Sequence, residues 1–507
     1  MLSRRDLTGA LCGVAAGAVA LAVSSIGGLL VPGADPPFQV LGDWVIRATP
    51  IAVTEAVIGA VGTRDKQLLL GLMILVAGLA FAAVGVAFVR GHRALQGIVV
   101  LAALPAAAAL SSPQTSVWRE LLVLLPAGLL GALVLRALAT TELGWDPIEE
   151  HAALTSKDTD RRQAFAATGV LALATVVGVG AVRQLSKPPV ELMSRLRAAL
   201  PRPTKATPPL VDELASRGAS KLVTPNKDFY RIDIAQTPPL VNPSDWTLTI
   251  SRDGKTLREL GYDELVAMSL TQADITIGCV SNEIGGDLVG TARWQGVLLG
   301  DLLRSAGVTK AGRISGTSVD GFLASFAGHY AFDGRPTMVA VGMNDEVLPV
   351  LHGFPARLVV PGLYGYTSAT KWLETIDVSD STDLPGFWEK RGWAAAVEVH
   401  IASRIDSPGD EVSKGTVDIA GIAWSPISGV GSVEVRVDDG PWQPAQLSKA
   451  VSGVLWRQWV LPWQATRGEH QLTVRATDAL GKKQDTTSRP IFPSGATGLH
   501  SVRVNVT

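Results

Sequence analysis

The first 185 residues are apolar in long runs, whereas the remainder alternates apolar and polar positions over short stretches. Runs of membrane-spanning length cover residues 7–31, 68–89, 95–110, 121–138 and 164–182. The third run is short, and Pro105 interrupts it. Residues 44–61 are also apolar, but Arg47 and Glu55 point to an interfacial or re-entrant piece there. From about residue 184 to 221 prolines and charges accumulate, which reads as a linker with one short helix. Between 230 and 378 short strands alternate with helices. Strands are predicted at 246–251, 273–278 and 357–360, and helices at 261–268 and 297–306, an α+β pattern with mixed strands. From about residue 397 the pattern is all-β. Val433, Val435 and Val437 alternate with polar residues and run into the hairpin signal Asp438-Asp439-Gly440, and 470–478 repeats the alternation. Trp424, Trp442, Trp456, Trp459 and Trp463 supply large apolar faces, read as core. The predicted order is therefore transmembrane α-helices over 1–185, a linker over 186–222, an α+β domain over 223–396 and an all-β, immunoglobulin-like sandwich over 397–507.

Charge refines this picture. With 45 basic and 46 acidic residues there is no broad basic surface, so nucleic acid is not expected as a partner. Three basic groups flank the apolar runs: Arg4 and Arg5, then Arg90, His92 and Arg93, then Lys157, Arg161 and Arg162. The positive-inside rule assigns all three to the cytoplasmic side. Five spans then predict a multi-pass cell-membrane protein whose soluble half is extracytoplasmic; six spans would reverse that. Arg161-Arg162 and Ser3-Arg4-Arg5-Asp6-Leu7 each resemble a twin-arginine export signal, although ordinary anchoring arginines give the same pattern. The runs carry no paired histidines for a membrane haem.

Candidate chemistry centres on Cys279, the lone cysteine of the soluble half, at the end of a predicted strand and before a glycine-rich stretch. Its one companion, Cys12, lies in the first apolar run. Two such cysteines exclude an iron–sulfur cluster, a Cys-type zinc site and a c-type haem. A buried small hydrophobe, a nucleophile and a single thiolate ligand to a metal held mainly by something else remain open.

From about residue 225 to the C-terminus the chain resembles the sulfite oxidase family of molybdopterin enzymes. The resemblance rests on ordered motifs: Phe229-Tyr230-Arg231, Gly278-Cys279-Val280-Ser281-Asn282, Thr291-Ala292-Arg293-Trp294-Gln295-Gly296-Val297, Ser318-Val319-Asp320, and His352-Gly353-Phe354-Pro355-Ala356-Arg357 continuing to Lys371-Trp372. It implies a molybdenum-molybdopterin cofactor with Cys279 as the protein's metal ligand. Phe229, Tyr230, Arg231, Asp233, Asp320, His352, Arg357, Ser368, Thr370 and Lys371 would contact the cofactor. Arg231 and Arg293 would hold a small polar or anionic substrate. The family's Arg-Asn-His is here Arg231-Ile232-Asp233, and the tyrosine before its Met-Asn loop corresponds to Val341. The resemblance further implies oxygen-atom transfer, a separate electron-transfer partner or quinone system, and a homodimer through the sandwich. Two rival readings are an S- or N-oxide reductase, such as one acting on methionine sulfoxide, and a cofactor-free binding or sensing module tethered to the membrane.

Overall fold

The computed structural model describes residues 3–30, 65–91, 117–143, 190–235, 238–395 and 398–507, with isolated positions between 40 and 53. The chain divides into two compact units, the larger comprising residues 189–233 and 238–507.

The N-terminal unit has three described helices, α1 Arg4–Leu30, α2 Asp65–Val89 and α3 Val117–Leu143, each long and apolar enough to cross a membrane. They coincide with three of the five predicted runs. The runs at 95–110 and 164–182, nearly all of 44–61, and Arg161-Arg162 lie outside the described residues. Small residues let these helices approach. Gly9, Gly13 and Gly17 recur every fourth residue on α1 and face Val89, Gly85 and Phe81 of α2. A Cβ at Gly13 would collide with the Phe81 carbonyl, and one at Gly85 with the Gly9 carbonyl. This is the small-residue packing that apolar helices use where lipid removes the hydrophobic drive between them. Arg90 grips Asp6 at 2.7 Å and joins the end of α2 to the start of α1.

The larger unit begins with α4 Val190–Arg197. Ten strands follow with three short helices: β1 Thr247–Arg252, β2 Lys255–Gly261, α5 Tyr262–Val266, β3 Thr271–Gly278, β4 Val289–Leu298, α6 Leu299–Ser305, β5 Arg313–Ser318, β6 Leu323–Ala327, β7 Met338–Met343, β8 Glu346–Val347, β9 Arg357–Val359, α7 Gly365–Ser368 and β10 Leu373–Ser379. One sheet has the order β2-β1-β10-β5-β6, and a second has β3-β4-β7-β8 with β9 on β7. The β1–β10 pair is parallel and its neighbours antiparallel, so the sheet is mixed. Leu248, Ile250, Leu302, Phe326, Phe354 and Leu358 form the core. Both predicted helices are shorter than their periodicity, because β2 runs to Gly261 and β4 runs to Leu298 before each helix begins.

Nine further strands make two more sheets: β11 Ala402–Ser407, β12 Glu411–Val412, β13 Gly415–Trp424, β14 Val430–Val437, β15 Gln443–Pro444, β16 Gln446–Leu447, β17 Arg457–Ala465, β18 Gly468–Asp478 and β19 His500–Val506. The orders are β11-β13-β17-β16 and β12-β19-β18-β14-β15, and Ile419, Trp459, Val435, Leu472 and Val504 share one core. Trp424, Trp456, Trp459 and Trp463 are buried as the pattern predicts. Trp442 is half-buried, with the Arg436 and Arg475 guanidiniums 5.0 and 4.1 Å from its ring. These sheets meet β3 directly: the Trp456 amide donates to the Thr276 hydroxyl at 2.8 Å.

Candidate functional site

β3 ends at Gly278 and delivers Cys279 into a tight loop. The Cys279 amide donates to the Leu288 carbonyl at 2.8 Å, and the Asn282 side chain accepts from the Leu288 amide at 2.8 Å. The thiol is buried, with the Ser281 amide directed at Sγ from 3.4 Å. Burial pushes the Cys279 thiol up, while Lys371 pulls the other way. A buried thiol of this kind is a poor free nucleophile and becomes a thiolate when a metal takes it.

Several predicted residues gather around it. Phe229 stacks on Tyr230 at 5.3 Å and meets Trp294 and His352 edge-on at 5.8 and 5.7 Å. Burial, reinforced by Cys279, holds the Tyr230 phenol protonated far above its ordinary range. His352 Nε2 lies 2.7 Å from the Asn226 carbonyl. Burial, seconded by Arg357, Lys371 and Arg231, holds that imidazole down to about 4. Lys371 forms a dry ion pair with Asp233 at 2.8 Å, the side chains only 10% and 5% exposed. The lysine is fixed from both sides. Gly353 has φ +112°, and a Cβ there would sit 2.9 Å from Lys371 Cα. Trp372 takes φ +47°, rare for a bulky residue, with its indole donating to the Val350 carbonyl at 2.9 Å.

Arg357 is the telling member. It is 5% exposed and lies 4.8 Å over the Trp294 ring, and its Nη1 donates to the His352 carbonyl at 3.1 Å. Among the described residues its Nε has no hydrogen-bond partner. Burial brings its pKa down to about 10. A desolvated guanidinium with a donor left over is costly unless an anion arrives from elsewhere.

Other predicted residues are placed differently. Asp320 accepts from the Phe322 amide at 3.0 Å, the turn its position before Gly321 suggests, and burial raises its pKa. Ser368 and Thr370 donate to the Tyr364 and Gly316 carbonyls at 3.0 and 3.2 Å, so as oriented neither hydroxyl offers an anion a donor. Arg231 is exposed, near enough to His352 to disfavour its protonation. Arg293 requires a correction. Its guanidinium binds both Asp274 oxygens at 2.9 and 3.0 Å and the Pro208 carbonyl at 2.7 Å. Asp274 lies four register pairs from Gly278, roughly 13 Å along the strand, so Arg293 does not converge on Cys279.

A cleft opens beside Cys279 between the two sheet systems, lined among others by Tyr364, His400, Trp424, Gln484 and Ala496. Burial raises the Tyr364 phenol to about 12, and the His400 amide donates to its oxygen at 3.4 Å. Tyr364 stands inside a quoted motif, and its phenol is the signal that marks it. His400 precedes β11 and Gln484 follows β18, and no linear pattern points to them.

The donor set fits a pterin-held metal. Among the described residues no group of three His, Cys, Asp or Glu could hold a metal ion, so a metal at Cys279 needs ligands from its own cofactor. The orphaned Arg357 Nε suits an anionic phosphate, and its fork geometry matches one.

Comparison with known proteins agrees. Residues 235–388 match the oxidoreductase molybdopterin binding domain. Mitochondrial sulfite oxidase of Mus musculus is 30% identical over 59% of this chain and 62% of its own length. That of Drosophila melanogaster is 32% identical over 48% of each chain. An uncharacterized oxidoreductase, YuiH, of Bacillus subtilis is 33% identical over 26% of this chain and 65% of its own. The chain thus spans less than two thirds of each of these relatives. A solved structure, the sulfane dehydrogenase SoxCD of Paracoccus pantotrophus, is 19% identical with a TM-score of 0.49 over 71% of this chain and 97% of its own. Residues 235–388 thus carry a molybdopterin-binding oxidoreductase domain, and the chain is similar to sulfite oxidases over roughly half of its length.

Proposed function

We propose that this is a membrane-anchored, extracytoplasmic molybdopterin-dependent oxidoreductase that moves an oxygen atom to or from a small polar substrate. The observation that carries the reading is the pair of groups that both act on the buried Tyr230 phenol, the Cys279 thiol and the Arg357 guanidinium, whose Nε lacks a partner among the described residues. When bound, the cofactor supplies two-electron redox chemistry and a site for oxygen exchange. Cys279 supplies the protein's thiolate. Arg357 would neutralise the cofactor's phosphate, and Asp233 pairs with Lys371 at 2.8 Å. Tyr230 and His352, both held neutral near neutral pH, offer hydrogen bonds without adding charge. Arg231, exposed near His352, is the cation proposed to attract an oxyanion, and the Arg293–Asp274 pair ties β3 to β4.

Electrons would pass to a separate partner or a quinone system, and the C-terminal sheets, read as an immunoglobulin-like sandwich, would pair two copies. The apolar helices support anchoring, and the twin-arginine pairs support export with the cofactor already bound.

A specific observation favours an S- or N-oxide reductase as the second reading. Val341 is fully buried in β7, where sulfite oxidases have a tyrosine, and among the described residues no arginine or lysine lines the cleft at Cys279. Turnover assays with sulfite and a dye acceptor, against methionine sulfoxide and a dye donor, decide between them. Sulfite turnover with no sulfoxide reduction would remove the second reading. Neither activity in molybdenum-loaded protein would remove both.

A further inference from the structure

The loop carrying Cys279 is gripped from outside its own domain. After Cys279 the chain runs through Gly285 and Gly286 before β4, and both glycines meet the C-terminal sheets. Gly285 has φ +76°, and a Cβ there would fall within the His500 imidazole. That ring is fixed in turn, since the Ile405 amide donates to His500 Nδ1 at 3.0 Å. The proton of the neutral ring therefore sits on Nε2, on the edge that lies against Gly285. Next along the loop, Arg404 Nη1 donates to the Gly286 carbonyl at 2.9 Å. Asp406 orients that guanidinium at 2.6 Å, and its Nη2 reaches the Ser220 hydroxyl at 3.0 Å. Both grips come from strands whose own register is secured: β11 on β13, and β19 on β18. Inside the loop, the Asn282 side chain accepts from the Leu288 amide, the Asn282 amide donates to the Cys279 carbonyl at 3.1 Å, and the Gly286 amide donates to the Glu283 carbonyl at 3.0 Å. The outer face of the loop, at Gly285 and Gly286, is met by His500 and Arg404 of the other sheets.

We infer that His500 and Arg404 are positioning residues that hold the Cys279 loop in the conformation that presents its thiol to the metal. This rests on reading Cys279 as the metal ligand, and it gives the C-terminal sheets a part in the chemistry.

The test separates the clamp from the metal. The full-length chain, with Cys12→Ala so that Cys279 is the one thiol, is purified in detergent from a host that cannot make the cofactor. The rate of Cys279 alkylation by N-ethylmaleimide is then measured. His500→Ala, Arg404→Gln and Gly285→Ala should each raise the rate about tenfold, the factor equivalent to losing roughly one hydrogen bond. Arg503→Ala, which breaks an exposed 3.6 Å ion pair on the same strand β19, should leave it unchanged. Melting curves followed by tryptophan fluorescence identify any variant that has lost its fold, and the remaining variants carry the result. Folded variants that alkylate at the parent rate would overturn the proposal. In cofactor-loaded protein the clamp variants should also shift the thiolate-to-metal charge-transfer absorption while keeping their molybdenum. A parent chain that takes up no molybdenum, yet shows faster alkylation in the clamp variants, would overturn the ligand reading and leave the clamp standing.

Discussion

Arg357 carries a cost that only a ligand offsets, and that gives it a distinctive signature. Arg357→Met keeps the stem volume over Trp294 and removes a desolvated charge. In cofactor-free protein the variant should melt at the parent temperature or higher, by up to about 2 kcal/mol. Protein from a host that makes the cofactor should instead lose most of its molybdenum. A lowered melting temperature in cofactor-free protein, with molybdenum retained in the loaded protein, would mean that Arg357 is structural. His352 makes the opposite kind of prediction, through pH. Its folded value of about 4 lies below its ordinary 6.5, so the unfolded chain binds the proton first as pH falls. The associated stability is complete above 6.5 and is lost as pH falls to about 4, on the order of 3 kcal/mol. His352→Gln retains a donor for the Asn226 carbonyl and should flatten this part of a melting-temperature profile between pH 6.5 and 4. An unchanged slope would assign the loss to other groups. At this scale the sequence is legible where a residue type is chemically distinctive within a contiguous motif, as with Cys279, Arg357 and Lys371. It is silent where the partner lies across a sheet, as Asp274 does for Arg293.

Elements turn those residues into a frame. The Arg293–Asp274 pair is 13% and 3% exposed and bridges β3 and β4. Removing one partner leaves a buried charge, so Arg293→Met should cost about 3 kcal/mol, and Asp274→Leu in addition should restore most of it. Melting curves of the two variants check the sign, and an unchanged KM for an anionic substrate would separate this role from substrate binding. In the N-terminal unit, Gly13→Leu would drive a side chain into the Phe81 carbonyl. We expect it to abolish disulfide cross-linking between cysteines introduced on the facing sides of α1 and α2, while a leucine at Gly78, which meets nothing within 4 Å, leaves the cross-link intact. Strands with strict alternation, such as β14 and β18, are readable from pattern alone because one face is buried. Helices α5 and α6 are overestimated because their apolar flanks are strand ends, and periodicity in so short a window does not separate the two.

At the scale of the molecule, two sheet systems of the larger unit meet at the cleft beside Cys279. Composition and hydropathy reveal the division into an apolar N-terminal part and a sheet-rich remainder. They do not reveal that His400 and Gln484 line the cleft beside the cysteine loop or that His500 packs on Gly285, because such contacts depend on how the sheets pack and leave no linear period. The central claim is that Cys279 anchors a molybdenum cofactor in this setting. The most direct measurement is molybdenum per chain, by elemental analysis of detergent-purified protein from a host that makes the cofactor, for the parent and for Cys279→Ser. The account predicts about one metal per protomer in the parent, and its loss in the variant with the melting profile of the cofactor-free fold retained. A parent chain without molybdenum, or a Cys279→Ser chain that keeps it with full activity, would contradict the account.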